Sequence, residues 1–187
     1  MTLQTLNDRI REHYSDKKIV FGCGNSDGPK LMLIGEAPGE QEELKGIPFV
    51  GKAGKNLDEL LALSGLDRSA LYISNTVKFR PTRISKAGGT VNRTPTRKEI
   101  EEGSAFLIEE IELVKPEVIA TLGNTPLTAL MGKDMTIGSC HGVLTECLGR
   151  KLMPLYHPAA LIYNRSLRDT YEQGVIRLGK IIRGEIG

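Results

Sequence analysis

Cysteine is scarce in this chain, and what there is sits badly for the usual uses. Cys23, Cys140 and Cys147 are the three present, and no two form a C-x-x-C pair. An odd count at such spacing argues against a disulfide framework. It also argues against a four-thiolate metal or iron–sulfur site built by this chain alone. Long apolar runs are missing too. None reaches the roughly 18 residues of a membrane-spanning helix, so no membrane partner is expected. The opening residues, MTLQTLND, lack the basic and apolar regions of a secretory signal, which makes a cytoplasmic location the expectation. Acidic residues are absent from Ser69 to Lys98, although Lys78, Arg80, Arg83, Lys86, Arg93, Arg97 and Lys98 all fall there. A one-signed block of this kind is the footprint of a surface that meets phosphates, with a solvated basic loop as the plainer alternative. The overall charge of +2 points to no partner by itself. At 187 residues, 40% hydrophobic and 26% charged, the chain has an ordinary globular composition and the length for one domain, 1–187.

What is present concentrates in one stretch, Gly35 to Gly54. Its twenty residues hold five glycines, two prolines, four glutamates and one phenylalanine. It follows the apolar run Leu31-Met32-Leu33-Ile34, read as a buried strand. It precedes Leu57, Leu60, Leu61 and Leu63, read as the apolar side of a helix. A long strand-to-helix loop at the C-terminal end of a strand is where open α/β sheets bind ligands. Glycines there allow close backbone approach, and prolines stiffen the loop. The plain reading is a solvated acidic loop closed by glycine turns. Gly46 to Lys52 also fits the G-x-x-x-x-G-K pattern of a phosphate-cradling loop. That match is rejected: Ala53 follows where a Ser or Thr must hold magnesium, Pro48 removes an N–H, and no strand runs into Gly46.

The rest of the chain alternates strands and helices. Leu3, Leu6 and Ile10 suggest a helix over 3–13, and 18–21 a short strand. A core strand over 70–75 ends at Asn75. A long loop containing Gly88-Gly89 then carries the basic block to Pro95. Thr94 or Thr96 can cap the next helix, 97–114, with Glu99 completing a capping box from Thr96. A strand follows at 118–122, then a short helix through Met131, a hairpin arm at 143–147, a last strand at 152–156 and a helix near 167–183. This alternation predicts an α/β fold: a three-layer αβα sandwich around a central, mostly parallel four-stranded sheet. Three strand ends then deliver the acidic loop, Asn75 and His157 to one edge. Alone, an Asn at a strand end is a turn former and a His before Pro is structural. Their joint placement makes the site.

At this point the residues carry a resemblance. The segments GEAPGEQEELKGIPFVGKAG, YISNTVKFRP, NRTP, LGNTPLTALMG and YHPAAL span residues 35 to 161 in that order. On them the chain resembles the uracil-DNA glycosylase superfamily and, within it, the family 4 enzymes. The resemblance implies uracil-containing DNA as partner. The deoxyuridine is turned out of the stack and its N-glycosidic bond is hydrolysed, leaving an abasic site. In this reading Phe49 stacks on the flipped base, and Asn75 reads uracil N3–H and O4 together. His157 donates to uracil O2 as negative charge grows there, helped by the backbone at Glu36 and Ala37. Position 37 is Ala where other branches place Asp, so Glu36 and Glu42 are the candidates to orient water or stabilise the sugar cation. Glu42 alternatively fills the space a thymine methyl would need. Leu161 and Ile162 are wedge candidates for the vacated stack. Lys78, Arg80, Arg83, Arg93 and Arg165 are the expected phosphate contacts.

The departures from the family pattern are specific. Family 4 enzymes hold an iron–sulfur cluster on four cysteines; here the third position is Phe79, the fourth Gly103, and no pair precedes Cys23. No cluster, cofactor or metal is expected, and Phe79 or the N-terminal segment must take over the cluster's structural role. Tyr163 stands where the family often has Arg, with Arg165 as substitute. The expectation is therefore a monomeric, monofunctional uracil-DNA glycosylase. The alternatives are a low-turnover DNA-binding or damage-recognition relative, or a glycosylase for another deaminated base.

Overall fold

The structure, a computed structural model, describes residues 1–186, apart from the side chain of Ile162. In chain order the elements are α1 (Leu3–His13), β1 (Cys23–Gly24), β2 (Leu31–Gly35), α2 (Glu40–Lys45), α3 (Lys52–Ser64), β3 (Tyr72–Asn75), β4 (Thr82–Ile84) and β5 (Thr90–Asn92). There follow α4 (Arg97–Val114), β6 (Val118–Leu122), α5 (Asn124–Met131), α6 (Ile137–Cys140), β7 (Thr145–Cys147), β8 (Arg150–Leu155), α7 (Ala160–Tyr163) and α8 (Arg168–Ile182).

The main sheet runs β1-β3-β2-β6-β8-β7. Its four central strands are parallel, as the alternation with helices requires, but the sheet has six strands rather than four. The two added strands are antiparallel edges of two and three residues, β1 on β3 and β7 on β8, too short to show a period. The 18–21 segment contributes only a bridge from Ile19 to Phe79, and the strand there falls at Cys23–Gly24 instead. The basic loop is not irregular throughout: β4 and β5 pair as a hairpin across the Gly88-Gly89 turn.

Central strands buried on both faces read as unbroken apolar runs, and β2 and β6 are buried along their whole lengths. On one face Leu31, Leu33, Ile73, Val118 and Ala120 meet Leu57, Leu60 and Leu61 of α3 and Tyr171, Val175 and Leu178 of α8. On the other, Met32, Ile34 and Ile119 meet Leu107, Ile111 and Val114 of α4. A third cluster joins Leu6, Ile10 and Tyr14 to Val77 and Phe79, outside α4. The capping box is present: Glu99 N–H donates to Thr96 Oγ1 at 3.3 Å, and the Glu99 carboxylate accepts from Thr96 N–H at 2.7 Å. Gly103 inside α4 has a packing reason, since a Cβ there would sit 2.5 Å from the carbonyl oxygen of Thr76. Helix and strand end close together at that point, so the C-terminal end of β3 is held by α4.

Candidate active site

The loop after β2 is built around Phe49, whose φ of 54° lies in the left-handed region. For a bulky residue this conformation costs on the order of 1–3 kcal/mol and persists only where its surroundings over-determine it. Three contacts do so. Glu42 Oε1 accepts from Val50 N–H at 3.0 Å and Gly51 N–H at 2.7 Å, directly after the strained residue. Arg68 donates to the carbonyls of Pro48 at 2.9 Å and Phe49 at 2.8 Å. The Cα of Gly54 packs against the Phe49 carbonyl so closely that no Cβ fits. Glu42 Oε2 also accepts from Gly39 N–H at 3.1 Å, closing the first turn of α2. The stretch read as one open loop therefore contains a six-residue helix, pinned by a single carboxylate.

Asn75 ends β3 and is 3% exposed. Gly35 lies beside it on β2, in register. A Cβ on Gly35 would stand 2.5 Å from Asn75 Oδ1 and 2.6 Å from Phe49 Cζ, so glycine lets the amide and the ring share one wall. Among the described residues the Asn75 carboxamide has no hydrogen-bond partner. Its residue is buried but its polar atoms are not sealed from the cleft that Asn75 lines, so they are open to pair with a ligand there. Glu36 follows Gly35, and its Oε2 accepts from Thr125 Oγ1 of α5 at 2.5 Å.

His157 follows β8, and its ring centroid lies 5.9 Å from that of Phe49. Ala159 N–H donates to His157 Nδ1 at 3.1 Å. Because Nδ1 accepts, the neutral ring carries its proton on Nε2. Burial pushes the imidazole pKa down from 6.5 to about 4, with Glu42 pulling weakly the other way. At neutral pH the side chain is therefore an uncharged donor. Glu36, Ala37, Glu42, Phe49, Asn75 and His157 line one cleft at the C-terminal edge of the sheet.

A family model described as the uracil DNA glycosylase superfamily matches residues 21–177. The chain belongs to this superfamily. It is 38% identical to a type-4 uracil-DNA glycosylase of Thermotoga maritima, over 88% of this chain and 85% of that protein. It is 35% identical to the type-4 enzyme of Archaeoglobus fulgidus over 96% and 94% of the two chains. A third type-4 enzyme, from Saccharolobus solfataricus, is 40% identical over 84% of this chain and 73% of its own. Among the described residues, no helix is long and apolar enough to cross a membrane.

In this superfamily member the expected phosphate contacts divide. Arg83 and Arg165 are exposed. Arg80 and Arg93 are tied into the loop. Arg80 Nε donates to Asn92 Oδ1 at 2.6 Å, and its Nη1 lies 3.4 Å from Glu43. Arg93 forms a bidentate pair with Glu99, two bonds of 2.7 Å, which holds that carboxyl down at about 2. Lys78 is a correction. It is fully buried, its ammonium on Glu110 Oε2 at 2.6 Å, so it meets no phosphate. Leu161 is half-buried, and the side chain of Ile162 lies outside the described residues. Sequence reasoning missed Arg68 and Thr125, which hold the loop and Glu36. Neither has a local signal, because each acts on a residue distant in the chain.

Proposed function

We propose that this cleft excises uracil from DNA by hydrolysis of the N-glycosidic bond, as a single domain over 1–187 acting as a monomer in base excision repair. The observation that carries the reading is His157, its Nδ1 accepting from Ala159 N–H, facing the same cleft as Phe49 and the Asn75 amide. Phe49 stacks on the extruded base. Asn75 donates to O4 and accepts from N3–H. His157 donates to O2 as the bond breaks, and the departing base leaves as an anion held by that donor. A neutral donor suits this step, because it lends a hydrogen bond without having to lose a charge. Water adds to the sugar cation and passes one proton to a carboxylate, from which it reaches the medium. Glu36 is the carboxylate for that step. Both oxygens of Glu42 are taken by backbone N–H groups, which makes Glu42 the brace of the Phe49 loop. Arg83 and Arg165 hold phosphates, and Leu161 enters the vacated stack.

Two substitutions separate these roles. Glu36→Ala should lower kcat about 10²-fold with KM little changed, the loss expected of a group that manages a proton in the transition state. Glu42→Ala should free three N–H groups and loosen the loop, raising KM as well and lowering the unfolding temperature. Steady-state kinetics on a uracil oligonucleotide checks both.

The resemblance to family 4 implies an iron–sulfur cluster, and the residues here do not fit one. Phe79 is 3% exposed, with its ring 5.0 Å from that of Tyr14. Gly103 is pressed against Thr76, and Cys23 and Cys147 lie on opposite edges of the sheet. Burial raises all three thiols, away from the thiolate a metal needs. We read the aromatic cluster of Tyr14, Phe79 and Phe106 as the structural substitute. Phe79→Ala should then cost about 3–5 kcal/mol of stability, as for other buried aromatics, read by chemical denaturation.

The functional reading is tested by incubating the protein, in excess EDTA, with an oligonucleotide carrying one uracil, single-stranded or opposite G or A. Alkali-labile cleavage at the uracil alone is the expected result. Binding of the same DNA with no base release would overturn it.

A further inference from the structure

Beneath Asn75 lies a buried polar network that the chemistry above does not use. Lys78 Nζ donates to Glu110 Oε2 at 2.6 Å, to Ser74 Oγ at 2.7 Å and to the carbonyl oxygen of Asn75 at 2.7 Å. All three ammonium protons are thereby placed. Glu110 of α4 also accepts from Tyr72 O–H at 3.0 Å and from Ser74 O–H at 2.9 Å. Lys78 and Glu110 are 0% and 2% exposed. Four side chains from one strand, the turn after it and one helix converge below the residue that reads the base.

Such a network is a poor way to gain stability. Two charges taken out of water lose about as much in dehydration as their attraction returns, and apolar residues of equal volume would serve as well. Its geometric effect is specific. Tyr72 and Ser74 point to the α4 face of β3, while the side chain of Asn75 meets the other wall, against Gly35 and Phe49. The ammonium grips the Asn75 peptide from behind. The next residues are clamped to β2: Thr76 N–H donates to Gly35 O at 2.8 Å and Val77 N–H to Glu36 O at 3.0 Å. The amide is held from both directions without any partner on its own polar atoms.

We infer that Lys78, Ser74 and Glu110 are positioning residues that fix the Asn75 carboxamide for reading the uracil edge. This rests on the functional reading above. A misplacement of a fraction of an ångström weakens two hydrogen bonds at once, in the bound base and in the transition state. The network thus acts on uracil affinity and on kcat, and not on the hold on the phosphate backbone.

The test uses Ser74→Ala and the electrically neutral pair Lys78→Met/Glu110→Gln. Three quantities are measured on each folded protein: single-turnover uracil release, inhibition by free uracil, and affinity for an oligonucleotide already carrying an abasic site. The expected result is a release rate about tenfold lower and a uracil inhibition constant several-fold higher, with abasic-DNA affinity within twofold. A merely structural role would reduce the fraction of active protein and leave rate and inhibition constant unmoved. That outcome overturns the inference, as does full activity in both variants. If the double variant does not fold, Ser74→Ala decides alone by the same criteria. An unmodified protein that releases no uracil would instead defeat the functional reading.

Discussion

Asn75→Ala is expected to lower kcat/KM for uracil release by about 10³-fold while leaving the fold intact. The size follows from what the amide does and from what its loss leaves behind. The flipped base carries N3–H and O4 into a pocket where Asn75 is 3% exposed. Each polar group left buried without a partner costs about 1–3 kcal/mol, and alanine strands two of them. Sites built to hydrogen-bond a substrate discriminate strongly against mismatched partners for the same reason. Cytosine offers an acceptor at N3 and a donor at the exocyclic amine, the reverse of uracil, so it meets Asn75 with like groups opposed. The substitution removes no apolar contact of the core, and thermal unfolding should move by only a few degrees. Single-turnover kinetics beside a melting curve checks both halves. A loss below tenfold would show that the amide does not read the base.

His157→Ala is the second large effect, about 10²–10³-fold in kcat, the range for removing one preorganised donor to a developing oxyanion. The pH profile carries the sharper information. With the imidazole pKa pushed down to about 4, the donor stays neutral as the solution passes the ordinary histidine value of 6.5. The histidine-dependent limb of kcat/KM, which reports the free enzyme, should therefore stay flat down to about pH 5 and break only near 4. A break at 6 to 7, absent from His157→Ala, would contradict the buried neutral ring. Stability follows the same shift with a definite sign. Above pH 6.5 neither state binds the proton. Below it the unfolded chain does and the native one does not, so stability contributed by His157 is lost as pH falls toward 4.

Much of this was legible in the sequence, for reasons that differ by residue. The parallel strands announce themselves as apolar runs, and the long helix by its capping box. Asn75 and His157 could be assigned to one edge because parallel strands place all their C-terminal ends together. Lys78 was misread because a lysine within a basic block looks like surface. Its carboxylate partner is 32 positions away on a helix, and nothing local marks the pairing. The six residues of α2 are too few for a period to show, and the β4–β5 hairpin is so short that Gly88-Gly89 reads as part of one long loop rather than as a turn. The division of labour between Glu36 and Glu42 was equally invisible, since it depends on which carboxylate the backbone of Gly39, Val50 and Gly51 happens to face.

The bond from Ala159 N–H to His157 Nδ1 spans only two residues and uses no side chain but the imidazole itself. The tautomer is thus an inheritance of the main chain. Any amino acid with a free amide at position 159 can lend that hydrogen, although Ala159 also lines the cleft, so the size of a side chain there bears on the base and not on the tautomer. Proline is the exception, because it alone has no hydrogen to lend.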